Sequence, residues 1–87
     1  MTDRLDELRA RLRRFTDERD WGQFHEPKNL AMALAGEVGE LLAELQWLTA
    51  EEARSQVHAP PLRERVSAEV ADVFIYLVRF ADVCGID

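Results

Sequence analysis

The stretch from Asn29 to Leu48, NLAMALAGEVGELLAELQWL, limits the possible folds more than any other part of the chain. Its leucines recur at helical spacing and predict an amphipathic helix that ends near Thr49. Its only ionisable side chains are Glu37, Glu40 and Glu44, which lie within roughly 60° of one another beside the leucines on a helix. No Lys or Arg lies three or four residues from them. Because clustered like charges beside an apolar face are costly, a bound cation is the simplest reason to keep them.

A second amphipathic helix, expected from about Leu62 to Val83, carries a similar acidic pair. Its apolar stripe consists of Leu62, Val66, Val73, Leu77 and Phe80. Glu69 lies inside this stripe and Asp72 about 60° to one side, with Tyr76 between them. Because the connector is short, the two helices are expected to be antiparallel neighbours whose carboxylates converge. The alternative for Glu69 is an ion pair with Arg65, one turn earlier.

Four convergent carboxylates predict a particular class of metal. Glu37, Glu40, Glu69 and Asp72 offer hard oxygen ligands without His or Cys, which suits Mg²⁺ or Mn²⁺ and not zinc. A di-iron bundle would want Glu-x-x-His pairs, and these helices have none. Carboxylate-bound Mg²⁺ usually serves the hydrolysis of phosphate esters or anhydrides.

The remaining segments are predicted to be a third helix, a loop and a polar connector. A first helix is predicted over about Asp3–Glu18, with Thr2 or Asp3 as its N-cap. Its arginine-rich face also carries acids, which favours an ion-paired surface over an anion site. A loop over Arg19–Pro27 holds Phe24, which is expected to plug the end of the core. Trp21 either does the same or lines a functional pocket. His25 either caps a helix or faces water, or it lines that pocket. The range 50–61 is expected to be a polar connector with a short helical turn before two prolines, and Gly85 a helix C-cap.

Size and charge narrow the class of protein further. The 87 residues are expected to form a single domain, 1–87, and the predicted fold class is all-α: an antiparallel bundle of three main helices. So small a core predicts completion by oligomerisation. The net charge of −6 argues against nucleic-acid binding. One cysteine, a charged N-terminus and no long apolar run predict a cytoplasmic protein that has no signal peptide and does not enter membranes.

Two runs of residues give the chain a family resemblance. FHEPKNLAMALAGEVGELLAELQW, followed from Glu69 by EVADVFIYLV, resembles the all-α nucleoside triphosphate pyrophosphohydrolases. Within them it is most similar to the MazG-like group and its dCTP pyrophosphatases. The resemblance implies Mg²⁺-dependent hydrolysis of a (deoxy)nucleoside triphosphate, dCTP or a modified dCTP, to monophosphate and pyrophosphate. It also implies homodimers or homotetramers with active sites near subunit interfaces.

The resemblance also implies roles for individual residues. Glu37, Glu40, Glu69 and Asp72 would be the metal ligands and catalytic residues. The nucleotide pocket would be formed by Trp21, His25, Lys28, Asn29, Trp47 and Tyr76. Trp47 and Tyr76 would contact the base and sugar, His25 would make a polar contact, and Lys28 and Asn29 would lie near the phosphates. Since family members usually continue into a basic segment, Lys28, Arg65, Arg79 or a neighbouring subunit's arginines would take over its phosphate contacts.

Two other functions fit the same residues. One is a non-catalytic helical oligomerisation or interaction module with a structural metal site. The other is a hydrolase of a non-nucleotide pyrophosphate. Absence of turnover would indicate the interaction module. Hydrolysis that is little affected by Trp47→Ala or Tyr76→Ala would indicate the non-nucleotide hydrolase.

Overall fold

The computed structural model describes residues 3–86, and helices account for every regular element in that range. In chain order these are α1 (Arg4–Glu18), a 3₁₀ turn (Gly22–Phe24), α2 (Pro27–Leu45), α3 (Ala50–Gln56) and α4 (Leu62–Val83). The all-α prediction is confirmed. The segment expected to be a loop contains the 3₁₀ turn, and the expected helical turn before the prolines is α3.

Local hydrogen bonds define the helix ends. The Asp3 carboxylate accepts from the backbone N–H of Asp6 at 2.8 Å, so Asp3 is the N-cap of α1, and Thr2 lies outside the described residues. Pro27 occupies the first turn of α2, where its missing N–H costs nothing. Gly85 has φ 69°, a left-handed conformation that glycine adopts without strain, and it follows the C-cap of α4.

The prediction that the acidic helix reaches Thr49 is wrong. Helix α2 ends at Leu45, and Thr49 is the N-cap of α3. Thr49 and Glu52 form a capping box: the Thr49 hydroxyl accepts from the Glu52 N–H at 3.1 Å, and the Glu52 carboxylate accepts from the Thr49 N–H at 2.8 Å. Trp47 therefore lies in the turn between two helices and not on the acidic edge of α2.

Helices α2 and α4 pack against each other in opposite directions. Glu44, near the end of α2, pairs with Arg65 at the start of α4, whereas the earlier residue Glu40 approaches the later residue Glu69. Leu30 of α2 and Leu62 of α4 are the buried apolar residues within 3–86, at 2% and 4% exposure. Leu77, predicted to face inward, is half exposed.

An ion pair links α1 to α4. Arg13 donates to the Asp82 carboxylate, through Nε at 2.6 Å and also through Nη2. Within α1, Arg9 pairs with Asp6 at 2.7 Å. The predicted pairing of arginines with acids of the same helix is therefore confirmed for Arg9 and Asp6, whereas Arg13 pairs with an acid of another helix.

The chain exposes much apolar surface for its size. Its accessible surface is 6622 Å², against roughly 5,200 Å² expected for a folded monomer of this mass. Its radius of gyration is 15.3 Å, against about 12 Å for a compact domain of this length. Val38 and Leu42 on α2, and Val70, Phe74 and Leu77 on α4, are among the exposed large side chains. Within residues 3–86, no helix combines the length and apolar character needed to cross a membrane.

Candidate metal centre and adjoining cavity

Three of the four predicted acidic ligands converge between α2 and α4. One carboxylate oxygen each from Glu37, Glu40 and Glu69 lies within 4.8 Å of the others. Glu37 and Glu40 share a face of α2 because they are three residues apart, and the antiparallel packing brings Glu69 opposite them. Asp72 stands outside this tight group but close enough for its charge to act on Glu37 and Glu69.

Two carboxylate oxygens of the acid cluster have no hydrogen bond to offset the cost of their burial. Glu37 Oε2 and Glu69 Oε2 are buried and have no hydrogen-bond partner. Burial, and then the neighbouring carboxyls of Glu40, Asp72 and Glu69, raise the pKa of Glu37 to about 7. Burial and the Glu40 carboxyl likewise raise the pKa of Glu69. Orphaned buried carboxylate oxygens are rare in folded proteins, and they suit a hard divalent cation such as Mg²⁺ or Mn²⁺.

Arginine does not neutralise this cluster. The alternative partner for Glu69 was Arg65, but Arg65 Nε donates to Glu44 Oε2 at 2.6 Å instead. Across residues 3–86, no basic side chain forms an ion pair with Glu37, Glu40, Glu69 or Asp72. Within the described residues, no basic side chain therefore competes with an external cation for these carboxylates.

A cavity of about 420 Å³ adjoins the acids through Asp72. It lies between the end of α1, the loop that follows it, and α4. Its walls are formed by Leu12, Phe15, Thr16, Trp21, His25, Asp72, Ile75, Tyr76 and Arg79. The rings of Trp21 and Phe15 meet edge to face at 5.5 Å, so the aromatic wall is braced from α1. A cavity with aromatic walls and a few polar groups is typical of a small-molecule site.

The cavity wall includes three predicted pocket residues, Trp21, His25 and Tyr76. It also includes Phe15, Thr16 and Arg79, which sequence reasoning did not assign to it. Arg79 lies seven residues, or about two helical turns, after Asp72 on α4. This spacing is the sequence signal that could have placed Asp72 and Arg79 on the same wall. Arg79 Nε donates to His25 Nδ1 at 2.9 Å. Burial, and then the Arg79 charge, lower the pKa of His25.

The other three predicted pocket residues do not line this cavity. Trp47 is 87% exposed. Lys28 is exposed in the first turn of α2, and Asn29 Nδ2 donates to the backbone oxygen of Phe24 at 3.3 Å. Their assignment to substrate stays a prediction.

Comparisons with known proteins agree with this architecture. The chain is 46% identical over 83 residues to human dCTP pyrophosphatase 1 and 45% identical over the same length to the Bos taurus protein of that name. These matches cover 95% of the chain and 49% of each relative, so the chain spans about half their length. A pyrophosphatase of known crystal structure from Archaeoglobus fulgidus superposes with a TM-score of 0.91 at 38% identity, over 100% of this chain and 80% of the other. No family model matches the chain.

The similarities and the helical architecture together define the class of protein. The chain belongs to the all-α nucleoside triphosphate pyrophosphohydrolases, and within them to the MazG-like dCTP pyrophosphatase group.

Proposed function

We propose that the chain hydrolyses nucleoside triphosphates between the α- and β-phosphates and releases a monophosphate and pyrophosphate. The observation that carries this proposal is the pair of orphaned carboxylate oxygens, Glu37 Oε2 and Glu69 Oε2, buried beside Glu40 with no basic partner. A cavity with aromatic walls begins at the next acid, Asp72. The name dCTP pyrophosphatase 1, which the mammalian relatives carry, supports dCTP as the substrate. Our proposal extends to a modified dCTP and to a role in cleansing the cytoplasmic nucleotide pool.

Glu37, Glu40, Glu69 and Asp72 would hold Mg²⁺, or Mn²⁺ in its place. When bound, the ion supplies polarisation of the phosphoryl oxygens and a bound water of lowered pKa. Through that ion the acids would hold the phosphates at the cluster, since carboxylates alone repel them.

The cavity would hold the base. Trp21 and Tyr76 offer ring faces for stacking, and His25 offers a polar contact. Lys28 and Asn29, at the start of α2, would meet the phosphates. We also assign Trp47 to the pocket of a second chain, because its exposed position in a turn leaves it free to reach a neighbour.

We expect the purified protein to release pyrophosphate from dCTP with Mg²⁺ and to stop when EDTA is added. Tyr76→Ala should raise KM for dCTP by about tenfold, because base stacking contributes about 1–3 kcal/mol. Ser67→Ala, on the exposed face of the same helix, is the matched control. A screen of canonical and modified triphosphates by pyrophosphate release measures both effects.

The other functions give different results in the same screen. No turnover of any nucleotide, together with Mg²⁺-dependent melting, would indicate the interaction module. Turnover of a non-nucleotide pyrophosphate that is unchanged in Trp47→Ala and Tyr76→Ala would indicate the third function.

We further propose that the active form is a homodimer or homotetramer. The excess accessible surface and the exposed apolar stripe of Val70, Phe74 and Leu77 support this. Phe74→Lys should convert the oligomer to monomer, because a charge on an apolar interface is left desolvated. Light scattering after size exclusion measures the mass. Gln56→Lys, on α3, adds the same charge elsewhere and should leave the mass unchanged, and a monomeric parent would contradict the proposal.

A further inference from the structure

The cavity wall contains a chain of charged contacts that metal binding does not use. Asp82 lies on α4, three residues after Arg79 of the cavity wall, and its side chain is 6% exposed. Its carboxylate accepts from Arg13 Nε at 2.6 Å and from Arg79 Nη1 at 3.4 Å. Arg13, with further contributions from Arg79 and Arg9, holds the pKa of Asp82 below its usual range. Asp82 is therefore a fixed anion that anchors Arg79.

Anchored in this way, Arg79 acts on His25. Its side chain is 12% exposed, and its Nε–H is directed at His25 Nδ1, 2.9 Å away. A guanidinium carries only donors and keeps its proton at every pH a protein survives. His25 Nδ1 must therefore be the acceptor, since a hydrogen on Nδ1 would face the hydrogen on Nε.

The protonation of the other ring nitrogen follows directly. A neutral imidazole carries one hydrogen, so His25 must carry it on Nε2. A doubly protonated ring would lose the Arg79 bond and add a second positive charge beside the guanidinium. The lowered pKa of His25 agrees with a neutral ring at physiological pH. The cavity wall thus offers a ligand one fixed N–H donor at this ring.

We propose that Arg79, anchored by Asp82, is a positioning residue that fixes the His25 tautomer so that Nε2–H donates to a carbonyl oxygen of the substrate's pyrimidine base. This inference rests on the proposed function for the identity of the substrate, but the tautomer itself does not. A base is favoured over a phosphate as the source of the acceptor because Trp21 and Tyr76 share the wall with His25. Fixing the donor matters for selectivity, because a site built to donate leaves its N–H unpaired against a ligand that lacks the acceptor.

The tautomer is measured by two-bond ¹H–¹⁵N NMR of the imidazole at neutral pH. The chain has two histidines, so a His58→Gln background leaves His25 as the single ring signal. We expect the Nε2–H tautomer in this background and a mixture of both tautomers in Arg79→Met. Arg63→Met removes a guanidinium from the exposed side of the same helix and should leave the spectrum unchanged. Asp82→Asn should give an intermediate spectrum, because it weakens the anchor and leaves Arg79 in place.

The ligand is tested by titration with deoxycytidine monophosphate and, separately, with pyrophosphate, both with Mg²⁺. Arg79→Met should weaken binding of the monophosphate about twofold, because a ring divided evenly between two tautomers is competent in about half of the molecules, and should leave pyrophosphate binding unchanged. In turnover, KM for dCTP should rise by the same factor while kcat changes little, because the contact exists in both ground and transition states. Arg79→Lys keeps the charge without the planar fork and should not restore the parent KM.

Each outcome decides the proposal. An Nδ1–H tautomer in the parent background, or an Arg79→Met variant with unchanged tautomer and unchanged affinity, overturns it. Equal weakening of pyrophosphate binding overturns the assignment to the base and places the acceptor on a phosphate. If the nucleotide screen is negative while the Nε2–H tautomer depends on Arg79, the proposed function fails and the positioning role stands.

Discussion

Glu40→Gln should lower metal-dependent pyrophosphate release by more than about 100-fold, because losing a residue that only orients a ligand already costs 10–100-fold. Glutamine keeps the size of the side chain and removes the charge that the cation requires. Glu40 is the right acid to change because it is exposed, whereas Glu37 and Glu69 are partly buried between the helices. The substitution should therefore leave folding intact, and initial rates at saturating Mg²⁺ measure the loss.

The matched control is Glu64→Gln, which removes one negative charge from the first turn of α4 outside the cluster. It should retain the parent rate, and the two variants should melt within a few degrees of each other. A Glu40→Gln protein that hydrolyses nucleotides as fast as the parent would show that the acid cluster is not the catalytic site.

Helical periodicity predicted the elements well where each helix has its own boundary signal. Helix α4 spans Leu62–Val83, as its apolar stripe and Gly85 indicated. The end of α2 was misplaced because apolar residues continue at helical spacing to Leu48. The signal that decides the boundary is Thr49-x-x-Glu52, a capping box that begins a new helix and so ends the previous one. Tertiary packing was not needed to find it.

The acid cluster was also predictable, because residues three apart on one helix must share a face. Three of the four acids converge as expected. The contacts around them were not predictable, since Arg65 pairs with Glu44, 21 residues earlier, and Arg79 with His25, 54 residues earlier. Helical spacing fixes neighbours within one element, but these partners depend on how α2, α4 and the loop pack. Trp47 shows a second limit. The family resemblance assigns it to a pocket, but its side chain is exposed in the single chain.

Two features of the packing of α2 and α4 each cost stability: the buried acid cluster and the small apolar core. Helices α2 and α4 bury carboxylates where a small domain would otherwise bury leucines, and exposed apolar residues remain on their outer faces. A bound cation would offset the first cost, and a second chain would offset the other. Stability and function should therefore be linked through the metal, which leads to a test by melting.

The stabilisation of the protein by Mg²⁺ should grow as pH rises from about 5 to about 8. In an unfolded chain Glu37 has its ordinary pKa of 4.5, and in the fold its pKa is about 7. Between these values the folded protein binds more protons than the unfolded chain, so raising the pH destabilises the metal-free protein. The raised pKa of Glu69 acts in the same direction. Because Mg²⁺ binds the deprotonated carboxylates, it competes with protons at low pH and gains its full effect once they are lost.

The observable is the difference in melting temperature between Mg²⁺ and EDTA at each pH. Taking the difference cancels His25, whose lowered pKa makes stability rise with pH up to about 6.5 in both conditions. At pH 8 and about ten times the Kd of Mg²⁺, binding adds ~1.4 kcal/mol, or about 5–10 °C for a domain of this size. At pH 5 the difference should nearly vanish.

Glu37→Gln separates the repulsion among the acids from their role in binding Mg²⁺. Without metal at pH 8 this variant should melt above the parent, because it removes a charge that burial and three neighbouring acids oppose. It should also lose most of the response to Mg²⁺, because a ligand is gone. Glu64→Gln serves again as the control, with the parent's pH profile. A Mg²⁺ response that is flat with pH, or a Glu37→Gln protein less stable than the parent in EDTA, would mean that mutual repulsion among these acids does not govern the stability of the fold.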